Sequence, residues 1–172
     1  MAQEIDYNIF LIGFMGSGKS TIARELAKHL GHTLVEMDES IVLRQGMSIN
    51  DIFAQYGEEH FRDIETQFIR DMGQQEASVV SCGGGAVLRP QNAEYMKKSG
   101  KVVYLTATPE TIYERVKHST DRPILNGHMN VEYIGELMEK RRAVYEAAAD
   151  ICVATDGKNR ETICREILDQ LV

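Results

Sequence analysis

Short apolar runs alternate with longer amphipathic stretches along this chain. The run 7–12 is rich in β-forming residues and stops at Gly13, which predicts a buried strand. Between residues 18 and 30 the apolar residues recur at helical spacing, and Gly31 follows them. This pattern predicts a helix that ends in a glycine cap.

The alternation continues to the carboxyl end of the chain. Ser48 is predicted to cap a helix with Asp51 in its first turn, and a second helix is predicted to start at Thr108-Pro109-Glu110, with proline in its first turn. Further strands are predicted at 33–37, 78–81, 101–105 and 151–154, and further helices at 58–70, 131–149 and 160–171. Five strands alternating with helices predict a three-layer α/β/α fold around a parallel sheet. Ligands of such folds bind beyond the carboxyl ends of the strands.

Composition favours one globular domain spanning residues 1–172, of which 43% are hydrophobic and 26% charged. The net charge of -7 argues against a general nucleic-acid binder. No apolar run reaches the roughly 18 residues of a membrane span, and the first residues lack the pattern of a secretory signal. Cys82, Cys152 and Cys164 lack paired spacing and are expected to be buried, reduced thiols, which favours the cytoplasm.

The most specific motif follows the first strand. The sequence GFMGSGKST, residues 13–21, fits the phosphate-binding pattern G-x-x-x-x-G-K-[ST]. Its glycines let backbone N–H groups surround a phosphate, and the following helix adds partial positive charge. Lys19 is predicted to reach the β- and γ-phosphates, and the Ser20 hydroxyl to ligate Mg²⁺. The predicted nucleotide contacts in this loop are Gly16, Ser17, Gly18, Lys19, Ser20 and Thr21.

This loop predicts nucleotide binding, but several classes of enzyme carry it. The chain is too short for a motor protein and lacks the guanine-specific pattern N-K-x-D. The strand 78–81 ends in Ser-Cys-Gly-Gly-Gly instead of the aspartate of a Walker B motif. These observations favour a kinase that phosphorylates a small metabolite.

Two acidic residues, Glu36 and Asp38, end the second predicted strand, which we expect beside the first. Alternation along a strand would send both carboxylates to the same side. One would hold a water of the magnesium shell, and the other would orient the attacking hydroxyl and accept its proton. The alternative is that Asp38 caps a helix and Glu36 is solvated.

Two features suggest close contact with an acceptor molecule. Arg62 lies three residues before Glu65 on a predicted helix, so the two side chains can pair, either in a site or on the surface. The triplet Gly83–Gly85 follows a strand, where glycines permit close backbone approach to a ligand. A flexible turn is the alternative interpretation of the triplet.

Two basic segments lie further along the chain. Arg122 is in the polar segment 117–130, which is predicted either as a mobile lid that closes over the phosphates or as a solvated loop. The run Lys140–Arg142, with Tyr145, lies on a predicted helix. One arginine of this run could pair with a substrate carboxylate, and a solvated helix face is the alternative.

Together these motifs resemble the shikimate kinase family over essentially the whole chain. GFMGSGKST, GMSINDIFAQYGEEHFRDIE, GGG, RPIL and KRRAVYEAAAD follow one another in the family's order and spacing. The resemblance implies a P-loop fold with a substrate-binding region at about 38–70 and a lid at about 117–130. It also implies ATP- and Mg²⁺-dependent phosphorylation of the 3-hydroxyl of shikimate, a step of aromatic amino-acid biosynthesis.

The resemblance also implies roles for residues at the acceptor. Asp38 would bind the ring hydroxyls and assist deprotonation. Arg62 and Arg141 would grip the carboxylate of shikimate. Gly84 would supply a backbone contact, with Gly83 and Gly85 flanking it.

On the nucleotide side, the resemblance places Arg122 on the phosphates as a catalytic residue. Arg115 would pack on adenine, and Lys158 would make a second adenine contact. The chain departs from the family at Glu36, where aspartate is usual, and in the adenine loop 155–160. A water-mediated contact of Glu36 with Mg²⁺ would accommodate the extra methylene better than direct ligation.

The alternatives are another small-metabolite kinase, such as a gluconate kinase, or a non-catalytic nucleotide-binding module. Gluconate also carries a carboxylate and hydroxyls, so the chemistry of the predicted pocket does not separate the two acceptors. The series of motifs favours shikimate by resemblance. The expected partner is a small molecule, without nucleic acid or membrane, and the resemblance implies a monomer.

Overall fold

The predicted strands form one parallel sheet. The computed structural model describes residues 4–117 and 130–171. Within these ranges the strands are β1 (Asn8–Ile12), β2 (Thr33–Glu36), β3 (Ser78–Ser81), β4 (Gly100–Thr106) and β5 (Ile151–Ala154). The helices are α1 (Lys19–Leu30), α2 (Met37–Gln45), α3 (Ile49–Tyr56), α4 (Glu58–Met72), α5 (Pro90–Ser99), α6 (Pro109–Val116), α7 (Val131–Ala148) and α8 (Arg160–Leu171). The sheet order is β2-β3-β1-β4-β5, and all neighbouring strands are parallel.

Alternate side chains of β1 enter two separate cores. Phe10 and Ile12 pack among residues of α2 to α7 on one face of the sheet. Ile9 and Leu11 pack against α1 and α8 on the other face. Burial of both faces explains why β1 is apolar without interruption. The three-layer α/β/α fold predicted from the sequence is confirmed.

The position of β2 differs from the prediction. β3 lies between β2 and β1, so the second strand is not the neighbour of the first. All four residues of β3 are buried, whereas those of β2 are partly or fully exposed, as an edge strand allows. Ser81 faces Leu11 on one side and Glu36 on the other, so the carboxyl ends of the three strands meet at one edge.

The chain also leaves β2 one residue earlier than predicted. Glu36 is the last strand residue, and α2 begins at Met37, which places Asp38 in the first helical turn. Because Asp38 is not in the strand, strand alternation cannot determine the side to which its carboxylate points, and the prediction based on that alternation was wrong. Asp38 and Glu39 in the first turn are favoured by the positive end of the helix dipole, and Met37 is fully buried beneath them.

Local signals account for several helix ends. The Ser48 hydroxyl accepts a hydrogen bond from the Asp51 backbone N–H at 3.1 Å, and Thr108 caps α6 with Pro109 in its first turn. The Ser48 cap and the start of a helix at Thr108-Pro109 agree with the prediction. The helix α5 begins at Pro90 and was missed in the sequence.

Three further predictions concern the cysteines, membrane spans and the lid. Cys82 and Cys164 are buried free thiols, as predicted, but Cys152 is exposed because alternate residues of the edge strand β5 face outward. No helix within the described ranges is both long and apolar enough to cross a membrane. The predicted lid, including Arg122, falls outside the described residues except at its ends.

Candidate active site

The phosphate-binding loop joins β1 to α1 at the carboxyl edge of the sheet. Gly13, Gly16 and Gly18 have φ angles of 149°, 80° and 96°, which residues with a Cβ rarely adopt. A Cβ on Gly16 would also lie 2.8 Å from Cγ1 of Val116 on α6. The glycines of the motif therefore allow both the loop conformation and its close packing.

Two side chains of α1 are turned toward this loop and the adjacent strand ends. Lys19 Nζ donates hydrogen bonds to the carbonyl oxygens of Gly13 at 2.7 Å and Phe14 at 3.1 Å. The Ser20 hydroxyl donates to Glu36 Oε2 at 3.0 Å and lies 3.4 Å from the Ser81 hydroxyl. The ends of β2 and β3 thus bring a carboxylate and a second hydroxyl to Ser20.

The Ser20–Glu36 pair fits a magnesium ion that is bound mainly through water and phosphate. Within the described ranges, no group of three or more His, Cys, Asp or Glu residues could enclose a metal ion. Mg²⁺ commonly takes only one or two protein oxygens and completes its octahedron with waters and substrate phosphates. A hydroxyl and a carboxylate beside the phosphate loop match that pattern.

Two cavities adjoin at the carboxyl edge of the sheet. The first, of about 590 Å³, lies over the phosphate loop and includes Lys19, Ser20, Thr21, Glu36 and Arg115 in its walls; we call it the phosphate cavity. The second, of about 290 Å³, lies between α3, α4 and the glycine triplet, and Arg62, Glu65 and Arg141 border it; we call it the acceptor cavity. Both cavities share the residues Met15, Asp38, Gly83 and Gly84.

Asp38 stands at the junction of the two cavities. Its side chain is exposed on the first turn of α2. A Cβ on Gly83 would lie 2.8 Å from Asp38 Oδ1 and 3.2 Å from Glu65 Oε2, so both carboxylates border the space above this glycine. A group placed there would be within reach of Asp38 and would face the phosphate loop.

Arg62 is held against Gly85 by a buried ion pair. Its Nη1 lies 2.6 Å from Glu65 Oε1, and its Nη2 lies 3.2 Å from Glu58 Oε1. A Cβ on Gly85 would lie 2.7 Å from the guanidinium carbon of Arg62, so only glycine leaves room for it. The side chain of Arg62 is 12% exposed and that of Glu65 is 1% exposed, so the two form a buried ion pair and not a solvated pair on the surface.

Burial and the neighbouring charges together shift the pKa values of Arg62 and Glu65. Burial raises the pKa of Glu65, and Asp38 raises it further, against the opposing effect of Arg62. Burial alone would lower the pKa of Arg62, but Glu65 and Glu58 outweigh it and raise the pKa. Glu65 Oε2 is buried without a hydrogen-bond partner in the described part of the chain. The i, i+3 spacing signalled the pair, but sequence reasoning missed the position of Glu65 in the cavity wall.

Arg141 reaches the same cavity from α7. A Cβ on Gly84 would lie 3.5 Å from its Nη1. Tyr145, one helical turn further on, donates a hydrogen bond from its hydroxyl to the Gly84 carbonyl oxygen at 2.5 Å. The structure therefore brings Arg62, Arg141 and the glycine triplet together, although they are far apart in the sequence.

Of the other residues predicted to contact the nucleotide, Arg115 borders the phosphate cavity and Lys158 does not. Arg115 on α6 donates from Nη1 to the Gly16 carbonyl at 2.9 Å and to Thr155 Oγ1 at 3.3 Å, and it borders the phosphate cavity. Lys158 instead pairs with Glu166 on α8 at 2.9 Å and does not border that cavity. Arg122 lies outside the described residues.

Apolar side chains form the other wall of the acceptor cavity. Met15, Ile49, Phe53 and Phe61 border it, and the rings of Phe53 and Phe61 meet edge to face at 5.1 Å. Sequence reasoning did not single them out, because apolar residues at helical spacing indicate a core equally well. Cys82, under the triplet, is buried, and burial raises the pKa of its thiol far above the ordinary value.

The comparisons with known proteins agree with this arrangement. A sequence model of the shikimate kinase family matches residues 15–172. A shikimate kinase of Geobacter metallireducens is 44% identical over 95% of this chain and 91% of its own length. A shikimate kinase from Acinetobacter baumannii, solved in complex with shikimate, has a TM-score of 0.90 and 32% identity, covering 98% of this chain and 94% of that one.

A gluconokinase from Sinorhizobium meliloti is also similar, with a TM-score of 0.62 and 20% identity, covering 98% of this chain and 93% of that one. At that identity the similarity shows the fold alone. The family match and the identity to shikimate kinases extend over nearly the whole chain, including both cavities. This chain belongs to the shikimate kinase family.

Proposed function

We propose that this protein transfers the γ-phosphoryl group of ATP to the 3-hydroxyl of shikimate, giving shikimate 3-phosphate and ADP. The observation that carries the proposal is the junction of two cavities at Asp38. One cavity has a phosphate-binding loop, and the other has two guanidinium groups against a glycine triplet. An acceptor with a carboxylate at one end and hydroxyls at the other matches this distribution of charge.

In this proposal Arg62 and Arg141 bind the shikimate carboxylate, and Gly83–Gly85 line the ring at backbone distance. Guanidinium groups bind carboxylates through paired hydrogen bonds, which fixes both position and orientation. The carboxylate would thus anchor the ring so that the 3-hydroxyl lies beside Asp38. Asp38 orients that hydroxyl and accepts its proton as oxygen attacks the γ-phosphorus.

The phosphate loop, residues 16–21, holds the nucleotide. Its backbone N–H groups and Lys19 stabilise the phosphate oxygens, while the bond from the γ-phosphorus to the β–γ bridging oxygen breaks and ADP leaves. Mg²⁺, when bound, neutralises charge on the β- and γ-phosphates. Ser20 would hold it directly and Glu36 through water. We assign Arg122 to the transferred phosphoryl group and Arg115 and Lys158 to adenine by family resemblance.

We also propose that the chain is one kinase domain that acts as a monomer in the cytoplasm. The match of the family model to residues 15–172 supports a single domain. The buried free thiols of Cys82 and Cys164 suit a reducing compartment.

Coupled measurement of ADP release tests the proposed function. Mg-ATP is supplied with shikimate, with gluconate or with no acceptor. Turnover with shikimate alone is the expected result. Turnover with gluconate, or the same rate in all three assays, would overturn the assignment of the acceptor while leaving nucleotide binding in place.

A further inference from the structure

The hydroxyl of Tyr145 joins two of the groups that border the acceptor cavity. It donates to the Gly84 carbonyl at 2.5 Å. A Cβ on the same glycine would lie 3.5 Å from Arg141 Nη1, so the phenol and the guanidinium both adjoin Gly84. We propose that Tyr145 is a positioning residue that aims Arg141 at the substrate carboxylate and ties this arginine to the glycine triplet. This inference rests on the proposed function, since it concerns the binding of shikimate.

The place of the Tyr145 hydroxyl is determined by the core. The residue is 1% exposed, and its ring stacks on that of Tyr104 in β4 with centroids 5.1 Å apart. It lies four residues after Arg141 on α7, so the two side chains share one face of the helix. A phenol anchored in this way offers a fixed reference point to the longer and more flexible arginine.

The two guanidinium groups of the cavity are held by different chemistry. Arg62 is paired with the carboxylates of Glu65 and Glu58, which offset its charge. Arg141 forms no ion pair with any residue of 4–117 or 130–171, and it lies one helical turn from the neutral phenol of Tyr145. A neutral partner orients a cation without offsetting its charge, so the full charge of Arg141 remains available to an anionic ligand.

The phenol can serve both neighbours at once. A tyrosine hydroxyl has one proton to donate and lone pairs to accept with, so it can donate to Gly84 while Arg141 donates to it. Burial raises the pKa of Tyr145, which keeps the donated proton in place at neutral pH. Loss of the hydroxyl would leave the partly buried Gly84 carbonyl without this donor and would remove the acceptor that the phenol offers to Arg141.

The test compares Tyr145→Phe with Tyr104→Phe. Both remove one oxygen from the same stacked ring pair, but the Tyr104 hydroxyl makes no hydrogen bond to the described residues. Tyr145→Phe is expected to raise KM for shikimate about tenfold, equivalent to about 1.4 kcal/mol, and to leave KM for ATP within about twofold. The ATP value reports that the variant is folded. Tyr104→Phe is expected to leave both KM values within about twofold.

A double-substitution cycle with Arg141→Lys separates positioning from a general structural effect. If Tyr145 acts through Arg141, the increase in KM from Tyr145→Phe shrinks to about twofold or less when Arg141 is already replaced. Independent, multiplicative increases would overturn the proposal, as would an unchanged KM for shikimate in Tyr145→Phe. Wild-type chain that turns over no shikimate would overturn the proposed function and this inference with it, whereas active wild type with an unaffected Tyr145→Phe overturns the inference alone.

Discussion

Each guanidinium at the acceptor cavity has a polar side chain beside it. Glu65 Oε1 lies 2.6 Å from Arg62 Nη1, and the Tyr145 hydroxyl, one helical turn from Arg141, donates to the Gly84 carbonyl. In the proposed function these side chains would order the end of the cavity that binds the shikimate carboxylate before any ligand enters, which would leave little ordering for the binding step. Asp38, at the opposite end, borders the phosphate cavity as well.

Replacement of Asp38 by asparagine tests the role of its charge. Asp38→Asn nearly preserves shape but removes the negative charge and the basicity, so kcat with shikimate should fall by about a hundredfold or more. ATP affinity, measured by calorimetry, should stay within about twofold. Asp51→Asn is the matched control, because Asp51 lies in the first turn of α3 and does not border the acceptor cavity. A kcat for Asp38→Asn equal to that of the control would contradict the assignment.

Gly85 tests the close contact with Arg62. Alanine fits the backbone there, since Gly85 is not among the glycines with positive φ, but its Cβ would displace the guanidinium. Gly85→Ala is expected to raise KM for shikimate about tenfold. It should also lower the unfolding free energy by about 1–3 kcal/mol, because the displaced guanidinium leaves the buried carboxylate of Glu65 without its partner. In Gly135→Ala on α7, the new Cβ meets only Pro109 at ordinary distance, and KM should be unchanged. Equal KM values in the two variants would refute the contact.

At the scale of elements, a buried amide links α4 and α5 to the residue that follows the glycine triplet. Asn92 on α5 is 1% exposed. It donates to the Ala86 carbonyl at 2.8 Å and accepts from Thr66 Oγ1 on α4 at 2.8 Å. The distance between Arg62 on α4 and Gly85 therefore depends on α5, although α5 does not border the acceptor cavity.

Asn92→Ala should lower the unfolding free energy by about 2–3 kcal/mol, because it leaves buried hydrogen-bonding groups without partners. Gln91→Ala, at an exposed position of the same helix, should change it by less than about 0.5 kcal/mol. Urea denaturation measures both values. Similar stability of the two variants would show that the amide does not hold these elements together.

The elements that could be predicted are those in which the local sequence signals and the pattern of burial indicate the same secondary structure. The strand at β1, the loop after it and the caps at Ser48 and Thr108 all follow from residues adjacent in sequence. The boundary between β2 and α2 could not be predicted, because apolar Val35 and Met37 fit an alternating strand and the acidic pair after them fits a helix start equally well. The role of Asn92 depends on contacts across 26 residues and has no local signal.

At the scale of the whole molecule, the sheet order assembles the site. β3 between β1 and β2 brings Ser81 and the glycine triplet next to the phosphate loop. The order of parallel strands is decided by crossovers and packing, so an alternation of elements predicts the layers but not which strands are neighbours. The family motifs nevertheless named residues of both cavities, such as Lys19, Asp38 and Arg62, because motifs are read along the chain without knowledge of the sheet.

The buried Glu65 links the stability of the molecule to pH. Its pKa is raised from the ordinary value of 4.5, so the folded chain binds this proton more tightly than the unfolded chain. The contribution of this group to stability is therefore greatest below that value and is lost as pH rises through the folded-state pKa. The unfolding free energy of wild type minus that of Glu65→Gln should decrease from about pH 4 to about pH 7. A difference that is constant or increases would contradict the direction of the shift.

The identity of the product is the decisive test of phosphoryl transfer to shikimate. The chain is incubated with Mg-ATP and shikimate, and the product is examined by phosphorus–proton correlation NMR while ADP is measured in parallel. We predict a single new phosphomonoester, coupled to the proton on C3, with one ADP formed per ester. A phosphate on another hydroxyl, or ADP formed without any shikimate ester, would contradict it.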